Sequence, residues 1–243
     1  MNQVYRDDLA YIHDAGFGSF ALHAAPVLLE ALQNRRIERG LVIDLGCGSG
    51  ILAQEIAAAG YDVLGIDISE SMVAIARERV PTGQFQAESL LQASLPPCVA
   101  VTAVGEVFNY LFDTGNTRKA LTRLFRRIHA ALAPGGILLF DVAEPGRVTG
   151  TGPQRKHVEG EDWAVLVTVE EEPRRRLLTR RITTFRKVGE LFRREEEIHR
   201  LRLLPRAELV AELRRLGFTV RTLSAYGSLS FGPGQVGFLA RKR

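Results

Sequence analysis

The chain has 243 residues, of which 46% are hydrophobic and 25% charged, and its formal net charge is +4. Such a length suits one large domain or two small ones, and such a balance excludes a disordered or collagen-like chain. The two cysteines, Cys47 and Cys98, lack metal-ligand spacing; neither a disulfide framework nor a metal site is expected, and with no apolar run of membrane-spanning length and no secretory leader a cytoplasmic protein is.

The predicted elements begin at Leu41-Val42-Ile43-Asp44-Leu45, a buried-strand run ending in Gly46-Cys47-Gly48-Ser49-Gly50. Ile51, Leu52, Glu55, Ile56 and Ala59 then repeat at helical spacing, with Gly60 placed to stop the helix. Val63 to Asp67 is a second strand, and Ser69 or Ser71 can cap the helix through Met72, Ile75 and Ala76. Phe85 marks a third short strand and Val99 to Val104 a fourth. Leu121, Leu124, Phe125, Ile128 and Leu132 form an amphipathic helix that stops at Pro134-Gly135-Gly136, before a fifth strand from Ile137 to Val142. Apolar strands alternating with helices predict a parallel sheet covered on both faces.

The pattern then changes. Trp163 to Glu170, Leu177 to Lys187 and Leu191 to Leu203 read as three antiparallel strands with polar alternation. Between positions 170 and 204 there are eleven Arg and Lys against seven Glu, a surplus of four that equals the whole net charge. A local charged surface explains it as well as a polynucleotide partner does. A helix opened by Pro205 and ended by Gly217 follows, then strands around Val220 to Leu223 and Val236 to Ala240.

The glycine loop carries the functional signal. It leaves a strand and enters a helix, where unpaired N–H groups and missing side chains let an anionic or polar ligand lie against the backbone. The spacing is G-x-G-x-G, and the position that holds the third glycine of a dinucleotide fingerprint is Ile51. Asp67 at the tip of the second strand suits a ribose diol. Asp44, before the loop, adds a carboxylate suited to an ammonium group, which S-adenosylmethionine carries at that place and NAD does not.

With Gly65-Ile66-Asp67-Ile68-Ser69 and the Leu132-Ala133-Pro134-Gly135-Gly136 turn, these stretches resemble class I S-adenosylmethionine-dependent methyltransferases of the small-molecule type. The resemblance implies an α/β, Rossmann-like, seven-stranded and mainly parallel sheet with an antiparallel last strand. Onto it the polar strands would be added as an inserted antiparallel segment. One domain over 1–243 is expected: an N-terminal helical lid segment (1–40), a cofactor-binding core (41–142), the inserted strands (160–204) and a final helix with strands (205–243).

By the same resemblance Gly46, Cys47 and Gly48 meet the methionine part of S-adenosylmethionine, whose product is S-adenosylhomocysteine, and Asp44 reaches its amino group through water. Asp67 holds the ribose, Ile68 and Met72 flank the adenine, and Glu88 or Ser89 takes its amino group. Val104 begins the stretch beneath the sulfonium, which continues through Glu106, Asn109 and Tyr110 toward the acceptor. Tyr11 and His13 fall in the lid, Tyr11 as a cofactor contact and His13 as an acceptor contact. Glu106 and His199 are the candidate bases, although an exposed strand position also accounts for His199.

The expected partner is a small-molecule methyl acceptor, with a direct displacement onto oxygen or nitrogen. No separate nucleic-acid module, Asn-Pro-Pro-Tyr run or aromatic interleaving supports a polynucleotide acceptor. An RNA methyltransferase using the basic strands, and a protein that binds the cofactor without transferring anything, remain the alternatives.

Overall fold

The computed structural model describes residues 4–150 and 152–243; positions 1–3 of the expected lid segment, and Thr151, lie outside the described residues. Two helices come first, α1 (Asp7–Gly16) and α2 (Ser19–Gln33). The alternating region follows as β1 (Leu41–Leu45), α3 (Ile51–Ala58), β2 (Asp62–Asp67), α4 (Glu70–Arg79), β3 (Gln84–Ala87), β4 (Cys98–Ala103), α5 (Arg118–Ala131) and β5 (Leu132–Ala143). Ser69 is the residue that caps α4, its hydroxyl accepting from the Met72 amide. β5 starts five residues before the expected Ile137, because Leu132 pairs with Cys98 and the Pro-Gly-Gly turn is absorbed as an irregularity in the ladder.

Next come β6 (Gln154–Glu159), β7 (Trp163–Glu172), β8 (Leu177–Val188) and β9 (Leu191–Arg202), which form a separate four-stranded antiparallel meander. The expected insert held three strands. β6 escapes a periodicity reading because Gln-Arg-Lys-His-Val-Glu is an edge strand exposed along nearly its whole length. The chain closes with α6 (Arg206–Arg215), β10 (Phe218–Leu223), the two-residue strands β11 (Ala225–Tyr226) and β12 (Leu229–Ser230), and β13 (Gln235–Lys242).

The main sheet has the order β10-β13-β5-β4-β1-β2-β3. β13 lies between β5 and β10, antiparallel to both, and the pairs among β1 to β5 are parallel. One apolar layer, with Leu121, Leu124, Phe125 and Ile128 of α5, packs on one face of the sheet. A second, with Leu28 and Leu32 of α2 and Leu52 and Ile56 of α3, packs on the other. Strands buried on both faces explain why β1, β4 and β5 read as continuous apolar runs. Among the described residues no single helix is long and apolar enough to cross a membrane.

Three contacts hold the meander over the carboxyl ends of the parallel strands. Tyr110 bridges Leu201, the Leu111 amide donates to the Arg200 carbonyl at 2.9 Å, and the Leu204 amide donates to the Ala143 carbonyl at 2.9 Å. Asn109, fully buried, completes the joint by donating through Nδ2 to the carbonyls of Ala143 and Arg202, each at 2.7 Å. α1 is then gripped from the other side. Its buried Asp8 carboxylate accepts from Arg193 and Arg186, and the amides of Tyr5 and Arg6 both donate to Glu197, each at 2.9 Å.

Candidate cofactor and acceptor cleft

A cleft of about 1020 Å³, counted out to its open mouth, runs where the strands β1, β2 and β4 end. Its floor is backbone. Gly46 and Gly48 have φ of +66° and +53°, a region that L side chains seldom adopt. A Cβ on Gly46 would strike Val107 at 2.6 Å, whereas one on Gly48 would meet nothing within 4 Å. The loop therefore needs glycine twice for different reasons, once for packing and once to leave the main chain bare toward the cleft.

Asp67 closes this floor. Its Oδ2 accepts the Gly48 amide and its Oδ1 the Ser69 amide, both at 2.9 Å. Burial pushes the Asp67 carboxyl up, against the pull of those amides. Ile66, Ile68 and Met72 form one wall, and Glu88, Ser89, Leu90 and Leu91 close the end beyond it. The Ser89 hydroxyl donates to Asp113, so the two loops after β3 and β4 meet there.

Asp44 lies beneath the lining. It is 2% exposed, accepts from the Thr102 hydroxyl at 2.6 Å, and burial pushes its carboxyl up to about 7. Cys47 does not line the cleft: its amide donates to the Ile66 carbonyl, its Sγ turns into the core beside Gly65 and Phe85, and burial pushes the thiol well up.

Beyond the floor the lining becomes aromatic. Tyr5, His13, Phe17, Tyr110 and Phe112 all face the cleft. Tyr110 and Phe112 stack at 4.6 Å between centroids, and Tyr5 stands edge-on to both, with its hydroxyl 3.2 Å from that of Tyr110. Burial pushes the Tyr5 phenol well above its ordinary value and lowers His13 to about 4, so the His13 imidazole is neutral at pH 7.

Several expected residues are placed elsewhere. Tyr11 does not face the cleft: two residues from His13, it points to the opposite side of α1. There its hydroxyl donates to Asp162 at 2.9 Å and its ring lies 3.7 Å from the Arg186 guanidinium. Asn109 is the structural joint described above rather than an acceptor contact. His199 is 1% exposed instead of lying on a wet face; its Nε2 is 2.8 Å from Glu197, and its ring backs onto Tyr5 and Phe112 behind the lining.

Glu106 also sits outside the lining, at the left-handed φ of +63°. Burial alone would raise its carboxyl, but Arg180 and Arg147 outweigh that and hold it below its ordinary range. Asp141 fixes this turn by accepting the amides of Gly105 and Glu106 at 2.8 and 2.9 Å. It was missed in the sequence, where an acid inside Ile137 to Val142 was the available signal. Tyr5, Phe17, Phe112, Asp113 and Asn116 were missed too, because they come from loops and helix ends without periodicity.

The donor set fits S-adenosylmethionine. A bare glycine backbone, a carboxylate at the tip of β2, an apolar slot and a polar end at Glu88 and Ser89 follow one another along the cleft. Comparison with known proteins agrees. A family model described as "Methyltransferase domain" matches residues 19–223. "Putative methyltransferase YqeM" of Bacillus subtilis (strain 168) is 26% identical over 200 residues, 77% of either chain. A "Ubiquinone biosynthesis O-methyltransferase" of Methylococcus capsulatus is 33% identical over 128 residues, 49% of this chain and 51% of its own. Among solved structures, S-adenosylmethionine-bound CalS10, "an amino pentose methyltransferase from Micromonospora echinaspora", superposes with a TM-score of 0.76. That similarity covers 100% of this chain and 99% of CalS10 at 20% identity, a likeness of fold.

Proposed function

We propose that this chain, which belongs to the methyltransferase-domain family and is an S-adenosylmethionine-dependent methyltransferase, transfers the methyl group to an oxygen or nitrogen of a small-molecule acceptor. One observation carries the reading. The cofactor-shaped floor and the aromatic chamber line one cleft, and α1 and the meander back its aromatic side, which favours a compact acceptor. The relatives' names include both an O-methyltransferase and an amino pentose methyltransferase, so they support a small acceptor of either kind.

S-adenosylmethionine, when bound, supplies a methyl group on a positively charged sulfur. The chain's residues do the rest. Gly46 and Gly48 present backbone to the methionine part, and Asp67 takes the ribose hydroxyls. Ile68 and Met72 hold the adenine, with Glu88 and Ser89 at its amino edge. Val104, Gly105 and Val107 form the surface beneath the reacting centre. Tyr5, His13, Tyr110 and Phe112 orient the acceptor and exclude water, so that positioning provides most of the acceleration.

The polynucleotide alternative rested on the arginine surplus. Arg180 is paired with Glu106, Arg193 and Arg186 with Asp8, Arg176 with Glu208 and Arg175 with Glu172. These five arginines share four carboxylates, so part of the surplus is offset within the fold.

The test is a tritiated-methyl assay with a metabolite extract and, separately, total RNA and protein. Label appearing in small molecules alone supports the reading. Label confined to RNA or protein, or S-adenosylmethionine binding with no transfer to any fraction, refutes it.

A further inference from the structure

Resting on the reading just given, we propose that the acceptor is a small amine and that the methyl group goes to its nitrogen. The cleft lining supports this through the charges it contains and the free strong base it lacks at the acceptor end. Asp67, Glu88 and Asp113 contribute carboxyl groups, and no lysine or arginine faces the cleft among the described residues. Arg180 approaches closest through Tyr110, whose hydroxyl accepts from its Nη1 at 3.0 Å. Its other Nη, however, is bound to Glu106 at 2.5 Å, and the pair lies behind the lining. An anionic acceptor, such as a carboxylate or phosphate ester, would meet no counter-charge.

The second observation concerns the proton. A hydroxyl becomes a competent nucleophile by giving up its proton to a nearby base as it attacks. Of the carboxylates facing the cleft, Asp67 is held by the Gly48 and Ser69 amides, Asp113 by the Ser89 hydroxyl and the Gly115 amide, and Glu88 stands at the adenine end. Glu106 is outside the cleft and locked by two guanidiniums. His199 is shut behind Tyr5, Tyr110 and Phe112. His13 faces the cleft, but burial lowers it to about 4, so it holds a proton poorly. A neutral amine attacks through its own lone pair and needs no base at that moment.

The third is the wall. Tyr5, Tyr110, Phe112 and Phe17 line the chamber, and the face of an aromatic ring attracts a cation most strongly in a dry site. The step then balances. The amine reaches the chamber neutral, having left its proton to bulk water. Its lone pair forms the nitrogen–carbon bond as the carbon–sulfur bond breaks with its electrons going to sulfur. The positive charge thus passes from sulfur to nitrogen inside a lining that tolerates it at both ends, and the new ammonium returns one proton to water.

Binding tests this without knowing the acceptor. Calorimetry on the full chain saturated with S-adenosylhomocysteine would compare benzyltrimethylammonium, neutral neopentylbenzene and anionic benzylsulfonate. The proposal expects the cation to bind at least tenfold tighter than the other two, and Phe112→Leu to weaken it about tenfold. A preference for the anion, equal affinity for all three, or no binding of the cation overturns it. Failure of S-adenosylhomocysteine itself to bind would instead refute the methyltransferase reading, so the two failures are distinguishable. A paired turnover screen with benzylamine and benzyl alcohol gives a second readout; methylation of the alcohol and not the amine overturns the proposal.

Discussion

Asp67→Asn is the sharpest single perturbation of the cofactor floor. The carboxylate accepts two backbone amides at once, Gly48 on one oxygen and Ser69 on the other, each at 2.9 Å. An amide side chain has one oxygen, so whichever way it turns its NH2 group faces a backbone N–H. One of the two bonds is replaced by a repulsion, and the glycine loop must shift. Loss of one charge-assisted bond costs about 1.5–3 kcal/mol. Weakening the expected ribose contacts adds a similar amount, for a total of about 3–6 kcal/mol. Since 1.4 kcal/mol is tenfold, affinity for S-adenosylmethionine should fall by roughly two to four powers of ten. Calorimetry with S-adenosylmethionine and S-adenosylhomocysteine measures it, with thermal denaturation checking that the fold persists. An affinity within threefold of the unsubstituted protein would refute the assignment of Asp67 to the cofactor.

Two further predictions follow from buried charge. Asp44, pushed by burial to about 7, should lose its proton when the cofactor's ammonium arrives, so binding at pH 6.5 should release protons. Binding enthalpies measured in buffers of different ionisation heat should then differ, and Asp44→Asn should abolish the difference; buffer-independent enthalpies in the unsubstituted protein would contradict this. The same shift has a cost without ligand. Between pH about 4 and about 7 the folded state holds a proton the unfolded chain has released, so this group's contribution to stability falls as pH rises through that window. Glu106→Ala should destabilise the fold by about 3–5 kcal/mol, because it strands the Arg180 guanidinium with only 19% of that side chain exposed. Urea denaturation measures this, and a loss below 1 kcal/mol would show that the Arg180 charge is solvated some other way.

What was legible in the sequence came from local regularity. Apolar runs buried on both faces identified β1, β2, β4 and β5, because a parallel sheet covered by helices leaves those strands no wet side. The glycine loop and Asp67 were legible for a related reason: a tight strand-to-helix turn with bare backbone demands glycine at fixed spacing. β6 was invisible because an exposed edge strand has no apolar alternation to display.

The acceptor side was decided only by tertiary structure. Tyr5, His13 and Phe112 face one cleft because Glu197, far along the chain, holds the amides of Tyr5 and Arg6, and because the meander docks on Tyr110 and Leu111. Placing Tyr11 away from the cleft and His13 within it depended on the rotation of α1, which Asp8 sets through Arg186 and Arg193. Glu106 and His199 had the residue types of catalytic bases, and only burial and partners revealed one as half of an ion pair and the other as backing for aromatic rings. Sequence alone determined the methyl donor, since the glycine loop and Asp67 that point to it lie close together in the chain. Tertiary structure decided what faces the acceptor, since Tyr5 and Tyr110 meet there across 105 positions and Tyr5 is held in place by Glu197, 192 positions away.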